Sequence, residues 1–246
     1  LRGRFGARAA GWSLGRPRLM TAAVIVALLL VAALLFWRYV WFFRDPPRTA
    51  PALPGLVSPA DGTVVYVRKV APGEPVVSIK QDVAATIEDL VRTDVEGNKL
   101  VIGIFMSPFD VHYNRAPLTA TVDFVQHHPS LGKNRNMGSM HRRILLGRAP
   151  YYANSVHIVQ NERTVTRFLA RYREVELPYY VVQIGARTVN GIDSYFSPGE
   201  EVARGQTFGM IRIGSQVDLI VPWRAELETL VRPGDKVRAG ETVLVR

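Results

Sequence analysis

The chain has 246 residues, no cysteine and a formal net charge of +10. That length accommodates a single β-rich domain with ample chain to bury a core, and the missing cysteines exclude disulfides, Cys-type zinc sites and thiol nucleophiles. The charge is unevenly placed: residues 1–48 carry eight arginines against one acid, Asp45, whereas the other 198 residues carry 23 basic and 20 acidic side chains. This argues against a nucleic-acid surface and for a basic segment facing anionic lipid headgroups.

The first element is the uncharged run "LMTAAVIVALLLVAALLFW", residues 19–37, bracketed by Arg18 and Arg38. As a helix it nearly matches the roughly 30 Å hydrocarbon core of a bilayer. Tyr39, Trp41, Phe42 and Phe43 follow, with side chains suited to the interface. No small-residue cleavage site is evident, so residues 1–48 read as a basic membrane anchor rather than a cleaved leader. "RDPPRTAPALPG", 44–55, reads as an extended proline-rich linker. The soluble domain, taken as 49–246, has its first ordered residues near Leu56.

Strand-like runs then recur at 63–70, 99–106, 118–125, 164–170, 179–186, 207–214 and 216–222. They are β-branched and aromatic, punctuated by Gly, Pro and Asp, which predicts a mostly β (α+β) domain. An amphipathic helix is expected at 82–92, and residues 127–160 read as a long loop with one short helix. "PGEEVARGQT" (198–207) and "PGDKVRAGET" (233–242) form an internal repeat. Pro-Gly suits the centre of a type II turn. The pair resembles the half-motif of biotinyl/lipoyl-like β-barrels. The lysine those carriers modify is missing from both copies, which argues against a swinging-arm carrier.

Three stretches carry candidate chemistry. "SPADG", 58–62, places Asp61 before a glycine at a strand entry, where a plain Asp-Gly turn is the alternative. "SPFDVHYNRAP", 107–117, gathers Asp110, His112, Asn114 and Arg115 just after a strand. His112 has the titration range of an acid or base near neutral pH. "IGS", 213–215, has neither a Gly-x-Ser-x-Gly elbow nor a Ser-x-x-Lys pair. A Gly-Ser pair supports backbone chemistry instead: the hydroxyl attacks the preceding carbonyl, and glycine tolerates the bend this requires. A hairpin turn is the plain alternative for Gly214-Ser215. His127, His128, His141 and His157 lack metal-site spacing, so no metal is expected.

In register, "FFRDPPR" after an apolar anchor, "SPADG", "SPFDVHYNRAP", "NER" (161–163) and "IGS" before a short tail resemble the phosphatidylserine decarboxylase family. The resemblance runs from about residue 40 to the C-terminus and is nearest to the short bacterial and archaeal branch. It implies self-cleavage between Gly214 and Ser215, giving a β chain 1–214 and an α chain 215–246 that begins with a pyruvoyl group made from Ser215. That covalent cofactor would form a Schiff base with the amine of phosphatidylserine and draw electrons from the departing carboxylate. The resemblance casts Asp61 as the aspartate that orients a histidine for serine activation and His112 as the histidine supporting decarboxylation. Where longer members carry a second histidine, this chain has Arg115, a candidate for the substrate phosphate. The processing base is therefore open among His112, His127, His128 and His141. Implied partners are the membrane phospholipid and the two associated chains, with homo-oligomerisation open. The implied location is the inner membrane with the domain cytoplasmic, and five arginines ahead of the anchor fit that only for a monotopic or hairpin-like anchor. Archaetidylserine as substrate, a non-enzymatic adaptor and an anchored metallopeptidase are the competing readings.

Overall fold

A computed structural model of the protein describes residues 15–80, 83–92, 96–187, 191–212 and 214–246. The arginines ahead of Gly15, Asp82 at the start of the expected helix, and Ile213 of the Ile-Gly-Ser stretch lie outside the described residues. The chain divides into two units, 1–44 and 45–246. The first contains helix α1, Gly15–Phe36, whose described side chains are exposed and which is apolar and long enough, with the turn after it, to cross a membrane.

The second unit is mostly β and is built on one curled antiparallel sheet. In chain order its strands are β1 (Gly62–Val70), β2 (Lys99–Met106), β3 (Ala120–His128), β4 (Arg163–Tyr172), β5 (Tyr179–Gly185), β6 (Glu201–Val202), β7 (Ser215–Pro222) and β8 (Lys236–Val237). Their spatial order is β6-β3-β4-β5-β7-β2-β1-β8. Both faces are covered. One packs against a small sheet of Ile192–Ser194, Thr207–Ile211 and Tyr113–Arg115, with Phe208, Ile211, Val217 and Leu219 in a shared core. The other lies under the Val77–Lys80/Val83–Ala85 hairpin and short helices, with Leu90, Met140, Ile158 and Ile220 buried together. Burial on both faces explains why β2 and β7 read as unbroken apolar runs rather than alternating ones.

The internal repeat has a structural counterpart that extends it. Gly234 N–H donates to Val64 O (2.8 Å) and Val64 N–H to Asp235 O (2.9 Å). In the first copy Gly199 N–H donates to Val122 O (2.8 Å) and Val122 N–H to Glu200 O (2.9 Å). Gly240 N–H reaches Ser58 O and Gly205 N–H reaches Ala116 O, each at 2.8 Å. "SPADGTV" (58–64) and "APLTATV" (116–122) thus hold equivalent places, each followed by a register shift just after its valine. The unit thus carries an internal structural repeat that includes these two entering segments as well as the two Pro-Gly turns.

Three sequence expectations change. The helix expected at 82–92 is confined to Ile87–Val91, because Val83–Ala85 pairs as a strand and Thr86 caps the helix through a reciprocal bond with Asp89. Residues 127–160 hold the end of β3 and two short helices, Gly138–Leu145 (α2) and His157–Gln160. The two runs around Gly214-Ser215 are not a hairpin. Thr207–Ile211 pairs within the small sheet, whereas β7 lies between β5 and β2.

Candidate active site

Ser215 opens β7, directly opposite Gly185 of β5 and Met106 of β2. It is fully buried, and its Oγ has no hydrogen-bond partner among the described residues. A buried, unbonded hydroxyl costs on the order of 1–3 kcal/mol, so its presence calls for a reason. Gly214 has φ of +69°, a left-handed conformation that a side chain disfavours. Its carbonyl oxygen, the atom that would gain negative charge if Ser215 attacked, accepts the backbone N–H of Ala186 at 3.0 Å. That donor is already aimed at the oxygen such an attack would charge.

His112 follows the end of β2 by way of a tight turn. Asp110 closes the turn by accepting Ser107 N–H at 2.8 Å, and its own N–H bonds Ser107 O at 3.0 Å. The buried His112 ring places Nδ1 2.9 Å from Asp110 O. A carbonyl only accepts, so Nδ1 carries the hydrogen and, in the neutral ring, Nε2 keeps the lone pair a base needs. The neighbouring Asn114 donates through Nδ2 to Pro59 O (3.3 Å) and accepts Gln183 Nε2 through Oδ1 (2.8 Å). Gln183 stands opposite Val217, and side chains alternate along a strand, so the Asn114–Gln183 pair shares the Ser215 side of the sheet.

Asp61 and Arg115 are brought together by the repeat turns. Asp61 Oδ1 accepts Ala239 N–H at 2.7 Å and Oδ2 accepts Arg48 Nη2 at 2.8 Å. Its partners are a backbone amide and a guanidinium. Arg115 is buried, with Nη1 donating to Gly205 O at 3.0 Å and Nη2 paired with Asp45. The guanidinium assigned above to substrate phosphate is thus engaged by the segment after the anchor. That segment is not a free linker: Asp45 and Arg48 each grip one of the two motif residues. Gly240 is required for this packing, since a Cβ there would stand 2.9 Å from Arg115 Cδ at a φ of +74°.

The opposite face of β7 carries a polar network. Gln216 donates through Nε2 to Tyr66 Oη and Asp218 Oδ1, both at 2.8 Å, while its Oε1 faces His157 Nε2 at 3.0 Å. Tyr66 Oη also donates to Asp218 Oδ1 at 2.8 Å. Tyr66 reaches this position because Gly103 beneath it has no side chain; a Cβ would lie 2.4 Å from the ring. Burial pushes the Asp218 carboxyl up to about 6, against the pull of Gln216, Tyr66 and nearby Arg163. Burial likewise depresses His157 to about 4. Of the other histidines, His127 Nδ1 lies 3.2 Å from Thr164 Oγ1, and the His141 ring sits 5.5 Å from the Phe105 ring.

Ala186, Gln183 and the Tyr66–Gln216–Asp218–His157 network went unnoticed in the sequence, because their roles depend on register across strands far apart in the chain. The position of Gln216 beside Ser215 was the one available signal.

The family model described as phosphatidylserine decarboxylase matches residues 35–245. Over 239 residues the chain is 34% identical to a phosphatidylserine decarboxylase proenzyme of Symbiobacterium thermophilum, covering 90% of each chain. It is 34% identical over 222 residues to a phosphatidylserine decarboxylase proenzyme of Chlorobium phaeovibrioides, covering 87% of this chain and 79% of that one. It is also 35% identical over 208 residues to a proenzyme of Methanopyrus kandleri assigned to archaetidylserine decarboxylation, covering 84% of this chain and 80% of that one.

Proposed function

The chain belongs to the phosphatidylserine decarboxylase family, and from that premise we propose that it is a self-cleaving proenzyme converting phosphatidylserine to phosphatidylethanolamine and CO₂. The observation that carries this reading is the trio of Ser215, Gly214 and Ala186: a buried hydroxyl without a partner, a peptide held at positive φ, and a backbone donor on its carbonyl.

In the processing step the Ser215 Oγ–H loses its proton to a base and attacks the Gly214 carbonyl carbon. The Ala186 N–H bears the developing oxyanion charge, and collapse breaks the C–N bond to leave an ester. Loss of the Ser215 Cα proton then expels the Gly214 carboxylate and leaves dehydroalanine, whose hydrolysis releases ammonia. His112 is the proposed base, with its lone pair on Nε2 by virtue of the Asp110 carbonyl. Asp61 supports the step by holding the 239–240 turn and Arg48. The product, a pyruvoyl group at residue 215, supplies a carbonyl electron sink for decarboxylation. Met106 and the Asn114–Gln183 pair, on the same side of the sheet, wall that position off from water. Arg115 is assigned a positioning role in place of the phosphate, because Asp45 and Gly205 occupy it.

The duplicated half-motif supports kinship with biotinyl/lipoyl-like barrels, and α1 supports association with the inner membrane, where the substrate resides. The Methanopyrus relative favours a second substrate, archaetidylserine, whose headgroup chemistry is the same. Intact-mass measurement on the purified chain tests the reading. Fragments 1–214 and 215–246 are expected, the latter about 17 Da lighter than its serine form through loss of ammonia, with CO₂ released from phosphatidylserine vesicles. A single intact chain that releases no CO₂ would return the protein to the adaptor reading.

A further inference from the structure

Between Asp123 and Glu162 the sequence contains no acid but has Lys133, Arg135, Arg142, Arg143 and Arg148. None of these five pairs with a carboxylate among the described residues. Helix α2 is seated by Met137, Met140 and Ile144 on the core beneath it. Its other side turns apolar groups outward: Leu145 is 74% exposed, more than any other large apolar side chain described, and Leu146 is 54% exposed. Leucines held out in water beside arginines that have no carboxylate partner, Arg143 bonding only the Ala149 and Pro150 carbonyls, match an anionic bilayer surface, which takes the leucines below its headgroups and the cations among its phosphates. A cleft of about 360 Å³ opens beside α2, lined by Lys80, Val83, Arg135, Asn136, Ser139, Asn154 and Val156, with no carboxylate among the described residues that line it. Two cations and three neutral polar groups suit a phosphate.

The same segment abuts the scissile bond. Arg135 O accepts Arg187 N–H (3.0 Å) and Asn161 Nδ2 (2.8 Å), and Asn161 also donates to Gly185 O (2.7 Å), opposite Ser215. We propose that residues 131–148 form a second membrane contact, in which α2 lies on anionic bilayer with Leu145 and Leu146 inserted, presenting lipid headgroups beside the reaction centre. Lipid as substrate makes the arrangement useful, but the test does not require turnover.

The chain has no cysteine, so Leu145→Cys creates a unique site for an environment-sensitive fluorophore. The full chain is reconstituted through α1 into phosphatidylcholine vesicles with or without about a third phosphatidylglycerol. Label at 145 is expected to shift to the blue and be quenched by nitroxide lipids in the anionic vesicles. The shift is expected to vanish at about 0.5 M salt and in an Arg142→Glu, Arg143→Glu background. Label at Val175→Cys, on the exposed two-residue strand Val175–Glu176 that pairs with the end of β4, stays water-like throughout. An unquenched, water-like signal at 145 in anionic vesicles overturns the proposal whatever the decarboxylase activity. So does an equal blue shift in pure phosphatidylcholine vesicles with no quenching by nitroxide lipids, which would mark a protein contact instead.

Discussion

Asp61 and Thr119 hold the same place in the two halves of the domain. Asp61 Oδ1 accepts the N–H of Ala239, the residue before Gly240, and Thr119 Oγ1 accepts the N–H of Arg204, the residue before Gly205, at 3.1 Å. Threonine suffices for that bond. What Asp61 adds is a charge and a second oxygen, which it gives to Arg48. Asp61→Thr keeps the turn bond but leaves the buried Arg48 guanidinium with only Ala239 O and Glu241, each at 3.4 Å, so it is expected to cost about 2–3 kcal/mol and to slow self-cleavage on the order of a hundredfold. Thermal melts and the rate of appearance of the 215–246 fragment read the two effects separately. Cleavage at the parental rate would reduce Asp61 to the turn bond alone.

At the Gly214–Ser215 peptide, substitutions on its two sides should separate stability from processing. Ser215→Ala removes a buried hydroxyl that has no partner among the described residues, so the uncut protein should match or exceed the parent in stability by about 1 kcal/mol, while yielding no fragments at all. Gly214→Ala forces a side chain onto a φ of +69° and should lower stability by about 1–2 kcal/mol while slowing the cut. Complete cleavage of Ser215→Ala between residues 214 and 215 would sink the mechanism.

The pairing of Arg115 with Asp45 separates two roles for the arginine. The pair is largely buried on the Arg115 side, while Asp45 stays a third exposed, so Arg115→Met should cost about 2 kcal/mol. Asp45→Asn should reproduce part of that loss while keeping the arginine. If positioning is the whole role, both variants leave the KM for phosphatidylserine unchanged once processed. A rise in KM confined to Arg115→Met would return the phosphate to that side chain.

The network behind Ser215 predicts two opposed pH dependences. Asp218 has a folded value near 6, above its ordinary one, so its neutral form favours folding and its contribution is lost as pH rises from about 4 through 6. His157 has a folded value near 4, below its ordinary 6.5, so its contribution is present above 6.5 and is lost as pH falls toward 4. In the parent the two partly cancel. In the uncut Ser215→Ala background, denaturant titrations of His157→Gln should show stability increasing on acidification from pH 6 to 4, and those of Asp218→Asn should show it decreasing from pH 6.5 to 4. Equal slopes in both variants would dissociate these residues from the titration.

The parts of the molecule legible in the sequence were those written in local pattern. The strand runs at 99–106 and 216–222 needed only β-branched composition, and the repeat at 198–207 and 233–242 only its Pro-Gly turns. Ser215 stands out in the sequence because its Gly-Ser pair suits backbone chemistry, has no serine-hydrolase motif around it, and falls in register with the other motifs of the family resemblance. The hidden parts depend on register. Nothing local to Ala186 reveals that its N–H meets Gly214, or that Gly103 is small so that Tyr66 can cross it. Asp45 and Arg48 read as linker charges because their partners, Arg115 and Asp61, come from opposite sides of a duplication whose first halves, 58–64 and 116–122, have diverged too far to be matched by eye.

The position of β7 has a consequence for the processed protein. Residues 215–246 supply a strand hydrogen-bonded on both sides, to β5 and to β2, and buried on both faces. On the proposed cut before Ser215, that strand is no longer joined to the rest of the sheet through the chain and is held by its neighbours, and the folding route that placed it there as part of one chain is gone. The mature enzyme then persists by the height of its unfolding barrier and not by a reversible equilibrium. Heating should inactivate it irreversibly, whereas the uncut Ser215→Ala chain should refold.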